Sequence, residues 1–374
     1  MKIIISRELL LKSLNNVSRV FASKSILPVF SNFKFSLRRD KLEILASNSD
    51  TTIVDSIDTV DEYGNKNFEF QTTGECLVPY RVLEIIRKLS GAQISIDCID
   101  DSILGIDDGN SSFKVNTMRA KEYPDISLAL SGDSVEVNAK EFAKSVSQVA
   151  FASSNKDTTN ILTGVNIKTE QRNLILTATD GARLSRKVVS IASQKEFNST
   201  IPTKILTDVA RMCENADSIV IGFDKNKCYF KINSMVIFTT VLAGEYPNLA
   251  GLLTPRYTID LNASAKEIVS ALERVSLLFI DKQTSAKFKV TQGEFKITSK
   301  SQEFGSVVEN INNYQFDDRV FEIIVDCDYI LQAIKALGKE NVKFKFTGET
   351  KPLHVVSDDE PNLVQIITPL RINN

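Results

Sequence analysis

Histidine, paired cysteines, long apolar runs and catalytic signatures are scarce or missing in this 374-residue chain. Its lone histidine, His354, stands in the apolar run Pro352-Leu353-His354-Val355-Val356. One imidazole cannot build a two-histidine metal site, and the setting predicts a packed or surface residue, not a catalytic base. The five cysteines, Cys76, Cys98, Cys213, Cys228 and Cys327, form no Cys-x-x-Cys pair. An odd, scattered set fits reduced thiols in cytosol and excludes a disulfide frame or a zinc site. No run of about eighteen apolar residues exists to span a membrane. The opening Met1-Lys2-Ile3-Ile4-Ile5-Ser6-Arg7-Glu8 is too short and too soon charged for a signal peptide, so a cytoplasmic protein is expected. Phosphate-cradling glycine loops, His-Glu-x-x-His and Gly-x-Ser-x-Gly are also absent. The acidic pairs Asp100-Asp101, Asp107-Asp108 and Asp358-Asp359 lie among Gly, Asn or Ser and read as solvated turns in preference to metal ligands. No cofactor and no enzymatic activity are expected.

What is present is ordinary in composition and unusual in arrangement. Apolar residues are 43% and charged residues 25%, as in soluble globular proteins, and the length suggests about two to three domains. The apolar triplet Leu10, Leu14, Val17 recurs as Phe142, Val146, Val149 and as Ile268, Leu272, Val275, always at the i, i+4, i+7 spacing of one helical face. A second helix-like segment follows each triplet, at Tyr80 to Leu89, Thr203 to Cys213 and Asp328 to Leu337. Tyr123-Pro124-Asp125 and Tyr246-Pro247-Asn248 close the first two copies alike. Between the helices, alternating stretches such as Phe30 to Leu37, Leu42 to Ser47, Thr51 to Ile57, Ile94 to Cys98 and Phe113 to Met118 predict strands. The chain therefore reads as α+β, with three repeated domains at 1–128, 129–253 and 254–374, antiparallel sheet and two helices each.

Charge follows the same division. The formal net charge of −2 alone argues against a nucleic-acid binder, yet the helical segments with their flanks, 6–24, 80–88, 139–156, 203–214, 264–282 and 328–339, hold 17 Lys/Arg against 9 Asp/Glu. If the helices share a face, that face is positive and suits loose, sequence-independent contact with phosphates; pairing along the helices is the other use of such charges.

The stretch from Leu174 to Val188 carries the most local information. Asp180-Gly181 between two alternating runs predicts a tight hairpin with positive φ at both central positions. A plain hairpin leaves Thr179, Arg183 and Leu184 unexplained. These three either belong to the hairpin alone or edge a small apolar groove for a short peptide, with Arg183 as its polar rim.

Taken together, Thr177-Ala178-Thr179-Asp180-Gly181-Ala182-Arg183-Leu184, the paired Tyr-Pro loops, Ile26 to Asn32, Val78-Pro79 ahead of Glu84 to Leu89, and Thr368-Pro369-Leu370-Arg371-Ile372 resemble the bacterial DNA polymerase III β subunit family, the sliding clamps. The resemblance runs through all three repeats. It implies clamp-type domains with antiparallel sheets outside and helices on the inner face, two subunits joined head to tail into a ring, and duplex DNA within, bound without sequence preference. It also implies a non-catalytic processivity factor that tethers the catalytic subunit of the replicative DNA polymerase. Further implied partners are a clamp-loader complex, and other polymerases and repair proteins bearing short clamp-binding peptides.

By the same resemblance, Leu162, Thr179, Gly181, Arg183, Leu184, Pro247, Leu252, Pro369, Leu370, Arg371 and Ile372 form the peptide pocket. Lys24, Arg81, Lys156 and Lys204 face DNA, while Phe113 and Val115 of one subunit meet Leu277 and Leu278 of the other. Three departures bear on the pocket: Ala182 stands where the family usually has histidine, Gly251 where a basic residue is common, and Thr368 where an apolar residue precedes the C-terminal proline. The alternatives are a metal-dependent hydrolytic enzyme on a repeated α+β scaffold, which needs convergent carboxylates of raised pKa, and a repeat scaffold that binds only proteins.

Overall fold

The computed structural model describes residues 1–22, 27–99, 102–224, 226–279, 284–301, 303–316 and 320–370. All nine repeated apolar positions are buried, from Leu10, Leu14 and Val17 to Ile268, Leu272 and Val275. They lie on the helices Arg7–Ser18, Ala139–Ala150 and Ala265–Val275. The second helix of each repeat is Val82–Lys88, Thr203–Met212 and Cys327–Leu337. Local chemistry sets the ends of the last one. The Asp326 carboxylate accepts the Tyr329 amide at the start, and Gly338 at φ 62° closes it in the left-handed region.

The residues fall into two compact units, Met1–Lys140 with Arg211–Val241 and Glu141–Ala210 with Leu242–Asn374. This division does not follow the repeats, because strands of neighbouring repeats pair into common sheets. In the first unit, an eight-stranded antiparallel sheet runs from Asp133–Asn138 through Ser218–Asp224, Lys227–Ile232 and Met235–Thr240 to Thr51–Asp58, Lys41–Ser47, Asn32–Leu37 and Gly74–Pro79. Its central junction pairs Ile237 with Ile53 and Thr239 with Thr51. A five-stranded sheet ends at Ser112–Asn116. Helix Arg7–Ser18 packs on Val82–Lys88 and on strands Lys41–Ser47 and Thr51–Asp58.

The second unit repeats the plan. Its nine-stranded sheet joins Asn198–Pro202, Gly164–Glu170, Asn173–Thr179 and Arg183–Ser190 to Leu363–Ile367, Leu353–Val356, Asn341–Phe346, Ile259–Ser264 and Tyr314–Gln315. Here the junction pairs Arg183 with Ile367 and Ser185 with Gln365. A four-stranded sheet ends at Gly305–Ile311, and helix Ala265–Val275 packs on that strand and on Cys327–Leu337. Among the described residues no helix is long and apolar enough to cross a membrane.

Candidate functional site

The connection after Thr179 is wider than its Asp-Gly sequence implies. Thr179 faces Leu184 in register, so four residues make the turn, and only Gly181, at φ 93°, has a positive φ. Asp180 contributes its side chain in place of a left-handed backbone. Its Oδ1 accepts the amides of Ala182 at 2.9 Å and Arg183 at 3.0 Å, while Oδ2 accepts Arg183 Nε at 3.0 Å. Thr179 Oγ1 accepts the Gly181 amide and donates to the Arg183 carbonyl. The turn with two positive φ angles lies at the other end of this strand, at Gln171 and Arg172, between the paired Glu170 and Asn173.

Arg183 is not a polar rim. Its side chain is 9% exposed, and its fork donates to Gln332 Oε1 at 2.6 Å and to the Phe151 carbonyl at 2.6 Å. Its guanidinium carbon lies 4.3 Å from the Tyr329 ring centroid and 5.3 Å from that of Phe151. A cation saturated in this way fixes the loop against helix Cys327–Leu337; it has little left to offer a ligand. Leu184 is buried as well, at 3% exposure, and belongs to the core.

Several of the other residues expected at the pocket lie at one end of the nine-stranded sheet. Leu162 precedes strand Gly164–Glu170, Thr179 ends its neighbour, and Pro369 and Leu370 follow strand Leu363–Ile367. Thr368 donates its amide to the Ala182 carbonyl at 2.9 Å, and Leu370 donates to the Ile324 carbonyl at 2.8 Å. Pro247 is exposed and Pro369 buried. Leu252 and Leu370 each show 40% of their surface, and both are held through their backbones. Ala182 acts through its carbonyl, and Gly251 has nothing within 4 Å of where a Cβ would lie. Arg371 and Ile372 lie outside the described residues.

Each repeat has a loop at this place, and the first two are built alike. Around Ser47, the side chain of Asn48 accepts the amides of Asp50 and Thr51, and Thr240 donates to the Asp50 carbonyl at 3.0 Å. These match the amide bonds to Asp180 and the Thr368 bond to Ala182, though Thr51 has no counterpart of the Arg183 side-chain contacts. Phe30, however, takes the place of Leu162 two residues before its strand, and packs edge-to-face on Tyr123 at 5.4 Å. Both rings are buried among Val29, Leu45, Val54, Leu77, Tyr229 and Phe238, so this copy is filled by its own side chains. At the second copy, Leu162 and Tyr246 are only partly buried. In the third, Ser301 Oγ accepts the amides of Glu303 and Phe304, and the exit strand Gly305–Ile311 is an outer strand of its sheet.

The other expected sites are distributed as follows. Arg81 directly precedes helix Val82–Lys88, Lys204 is in the first turn of Thr203–Met212, and Lys156 follows Ala139–Ala150; all three are exposed. Cations at helix N-termini oppose the helix dipole, so helix stability does not account for Arg81 or Lys204. Lys24 lies outside the described residues. Several other helix charges are spoken for: Arg87 pairs with Glu84, Arg274 with Glu309, Lys335 with Glu273, and Lys144 with Glu360. Phe113 is 38% and Leu277 79% exposed, while Val115 and Leu278 are partly covered. Asp107 and Asp108 bind turn amides from Gly91 and Ser90 to Ser111, which holds the Asp108 carboxyl down at about 2. That is the opposite of the raised pKa a hydrolytic pair requires.

Three sheet-sharing repeats with twin helices define a clamp-type fold. Three family models match the chain: the N-terminal domain of the DNA polymerase III beta subunit over residues 1–127, the central domain over 136–248 and the C-terminal domain over 253–371. The chain belongs to this family, the bacterial sliding clamps. It is 29% identical to the beta sliding clamp of Bacillus subtilis (strain 168) over 378 residues, covering 99% of this chain and 100% of that protein. Against the beta sliding clamp of Staphylococcus aureus (strain Mu50 / ATCC 700699) it is 27% identical, covering 99% of each chain. The crystal structure of the DNA polymerase sliding clamp from Bacillus subtilis superposes with a TM-score of 0.94 at 26% identity, covering 100% of both chains. The DNA polymerase III subunit beta from Pseudomonas aeruginosa shares the fold, with a TM-score of 0.91 at 21% identity over 99% of this chain and 100% of that one. These relatives give no support to the hydrolytic reading.

Proposed function

We propose that the chain is a non-enzymatic, cytoplasmic sliding clamp of DNA replication, with domains at 1–128, 129–253 and 254–374. Two copies close head to tail around duplex DNA, and a clamp loader opens and closes the ring. The cleft between Leu162, Thr179, Pro247, Leu252, Pro369 and Leu370, with Gly181, Arg183 and Leu184 shaping its wall and Arg371 and Ile372 extending it, receives short peptides. Their sources are the replicative polymerase's catalytic subunit and other polymerases and repair proteins.

The observation that carries this reading is a pair of bare strand edges at equivalent places in the repeat. Strands Thr51–Asp58 and Arg183–Ser190 each leave the twinned loop and pair with the last strand of the following repeat. The third exit strand, Gly305–Ile311, has no such neighbour among the described residues, and neither has the last strand of the first repeat, Ser112–Asn116. Following the strand register through each repeat makes Val115 the counterpart of Thr239 and Ile367, and Gly305 the counterpart of Thr51 and Arg183. The same pairing between two copies sets Val115 opposite Gly305, Lys114 opposite Ser306 and Phe113 opposite Val307. Phe113 then meets the face on which Leu277 and Leu278 follow helix Ala265–Val275, and an exposed leucine finds its cover.

Exposed Arg81, Lys156 and Lys204, with Lys24, supply phosphate contacts that do not read sequence. Retention on a nicked circular plasmid, followed by release when the plasmid is cut once, tests the reading. Equal retention on both forms would replace it with ordinary electrostatic binding.

A further inference from the structure

His354 is the chain's only histidine and sits 1% exposed on strand Leu353–Val356. Its Nε2 lies 2.9 Å from the Leu252 carbonyl, and its Nδ1 lies 2.6 Å from the Tyr257 hydroxyl. A carbonyl only accepts, so Nε2 carries the proton, and Nδ1 is left to accept from Tyr257. Both bonds reach the same connecting segment. That segment is pinned at its ends, where Leu242 donates to the Thr200 carbonyl and Thr258 to the Phe346 carbonyl. Between these pins lies the short helix Ala250–Leu253, whose Leu252 side chain is 40% exposed at the cleft.

We infer that His354 is a positioning residue for the peptide cleft, holding Leu252 in place through its backbone carbonyl. The inference rests on the peptide-docking reading above. His354 pairs in register with Ile366, one residue before the end of the strand that leads to Pro369 and Leu370, so one residue links the Leu252 side through its ring and the Leu370 side through its backbone. The Tyr257 ring packs edge-to-face on the imidazole at 5.0 Å, and Lys345 Nζ lies 5.0 Å from the Tyr257 ring centroid. These contacts fix the imidazole before any ligand arrives. A wall held in this way spares the peptide the ordering cost of a mobile one.

The test separates the two ring nitrogens. Gln in place of His presents an amide N–H near the position of Nε2, whereas Asn presents one near Nδ1. With a fluorescein-labelled synthetic peptide carrying leucine and phenylalanine anchors, His354→Leu and His354→Asn should weaken binding about tenfold, the scale of one lost orienting hydrogen bond. His354→Gln should restore most of the affinity, with all three variants compared at equal thermal stability or corrected for it. Because the chain has one histidine, the imidazole nitrogen spectrum of the free protein reports it alone, and a protonated Nε2 with a bare Nδ1 is expected. The inference is overturned if Nδ1 carries the proton, if His354→Leu binds the peptide as the parent does, or if Gln and Asn lose affinity equally. Failure of the parent protein itself to bind the peptide would instead remove the cleft, and His354's proposed role with it.

Discussion

Arg183→Ala should unfasten the loop that forms one side of the cleft, and its cost can be worked from the contacts. The substitution removes a side chain that is 9% exposed, three polar partners and a ring contact at 4.3 Å. Asp180 keeps the amides of Ala182 and Arg183, so its carboxylate is not orphaned. The part-buried Phe151 carbonyl loses its donor, while Gln332 Oε1 is exposed and turns to water. An unpaired buried acceptor costs about 1–3 kcal/mol, and breaking a buried charge pair about 3–5 kcal/mol. With Asp180 still satisfied, the lower end applies, and a loss of about 3 kcal/mol is expected. Urea denaturation followed by circular dichroism measures it, and peptide titration of the folded variant should show weakened binding. Arg183→Lys should fall between, because an ammonium keeps the charge but cannot fork to two acceptors. A loss under about 1 kcal/mol with parental peptide affinity would refute the view of Arg183 as the fastening of the loop.

Three further outcomes are expected. Leu277→Asp should yield a folded monomer, since Leu277 is 79% exposed in the single chain and its carboxylate would be buried only against a second copy; sedimentation with circular dichroism decides, and an intact dimer would clear Leu277 of the interface. Replacing Arg81, Lys156 and Lys204 together by Glu should weaken DNA loading and flatten the dependence of log affinity on log salt by about 0.9 per lost phosphate contact, and an unchanged slope would remove them from the DNA surface. Finally, Glu360 is buried, which disfavours its charge, but Lys144 and Lys187 hold its carboxyl down at about 2 from an ordinary 4.5. A depressed carboxyl stabilises the fold above its unfolded value and loses that contribution as pH falls from about 4.5 to about 2, so Glu360→Gln should flatten the acid limb of the stability curve there.

The helical faces were legible because burial on a helix leaves a periodic trace, and each of the nine spaced positions is buried. Strands and hairpins were legible through alternation. Shared sheets were not, since Arg183 and Ile367 pair across 184 residues with no local signal. The burial of Arg183 was hidden for the same reason: its partners Gln332 and Phe151 lie 149 and 32 residues away. Asp-Gly announces a two-residue turn, but the Asp180 carboxylate accepts two amides within a four-residue loop in which only Gly181 has a positive φ. Conversely, Gln171 and Arg172 adopt positive φ without the Asn or Gly that would have announced it. Phe30 is buried beside the first loop whereas Leu162 is only partly buried beside the second, a difference that no local pattern announces.

Encirclement of DNA by two copies is a matter of topology, and a covalently closed ring distinguishes it from adhesion. Lys114→Cys with Ser306→Cys should place two thiols opposite each other across each contact between copies, at the strand-pair spacing of about 4.5–5.5 Å that disulfides bridge. The ring is assembled on a nicked circular plasmid by the loader, oxidised, and washed at about 1 M salt, where the Debye length is about 3 Å and charge attraction is screened. The cross-linked protein should stay on the circle and leave completely after a single double-strand cut. Release from the uncut circle, or failure of the two thiols to join separate copies, would contradict it.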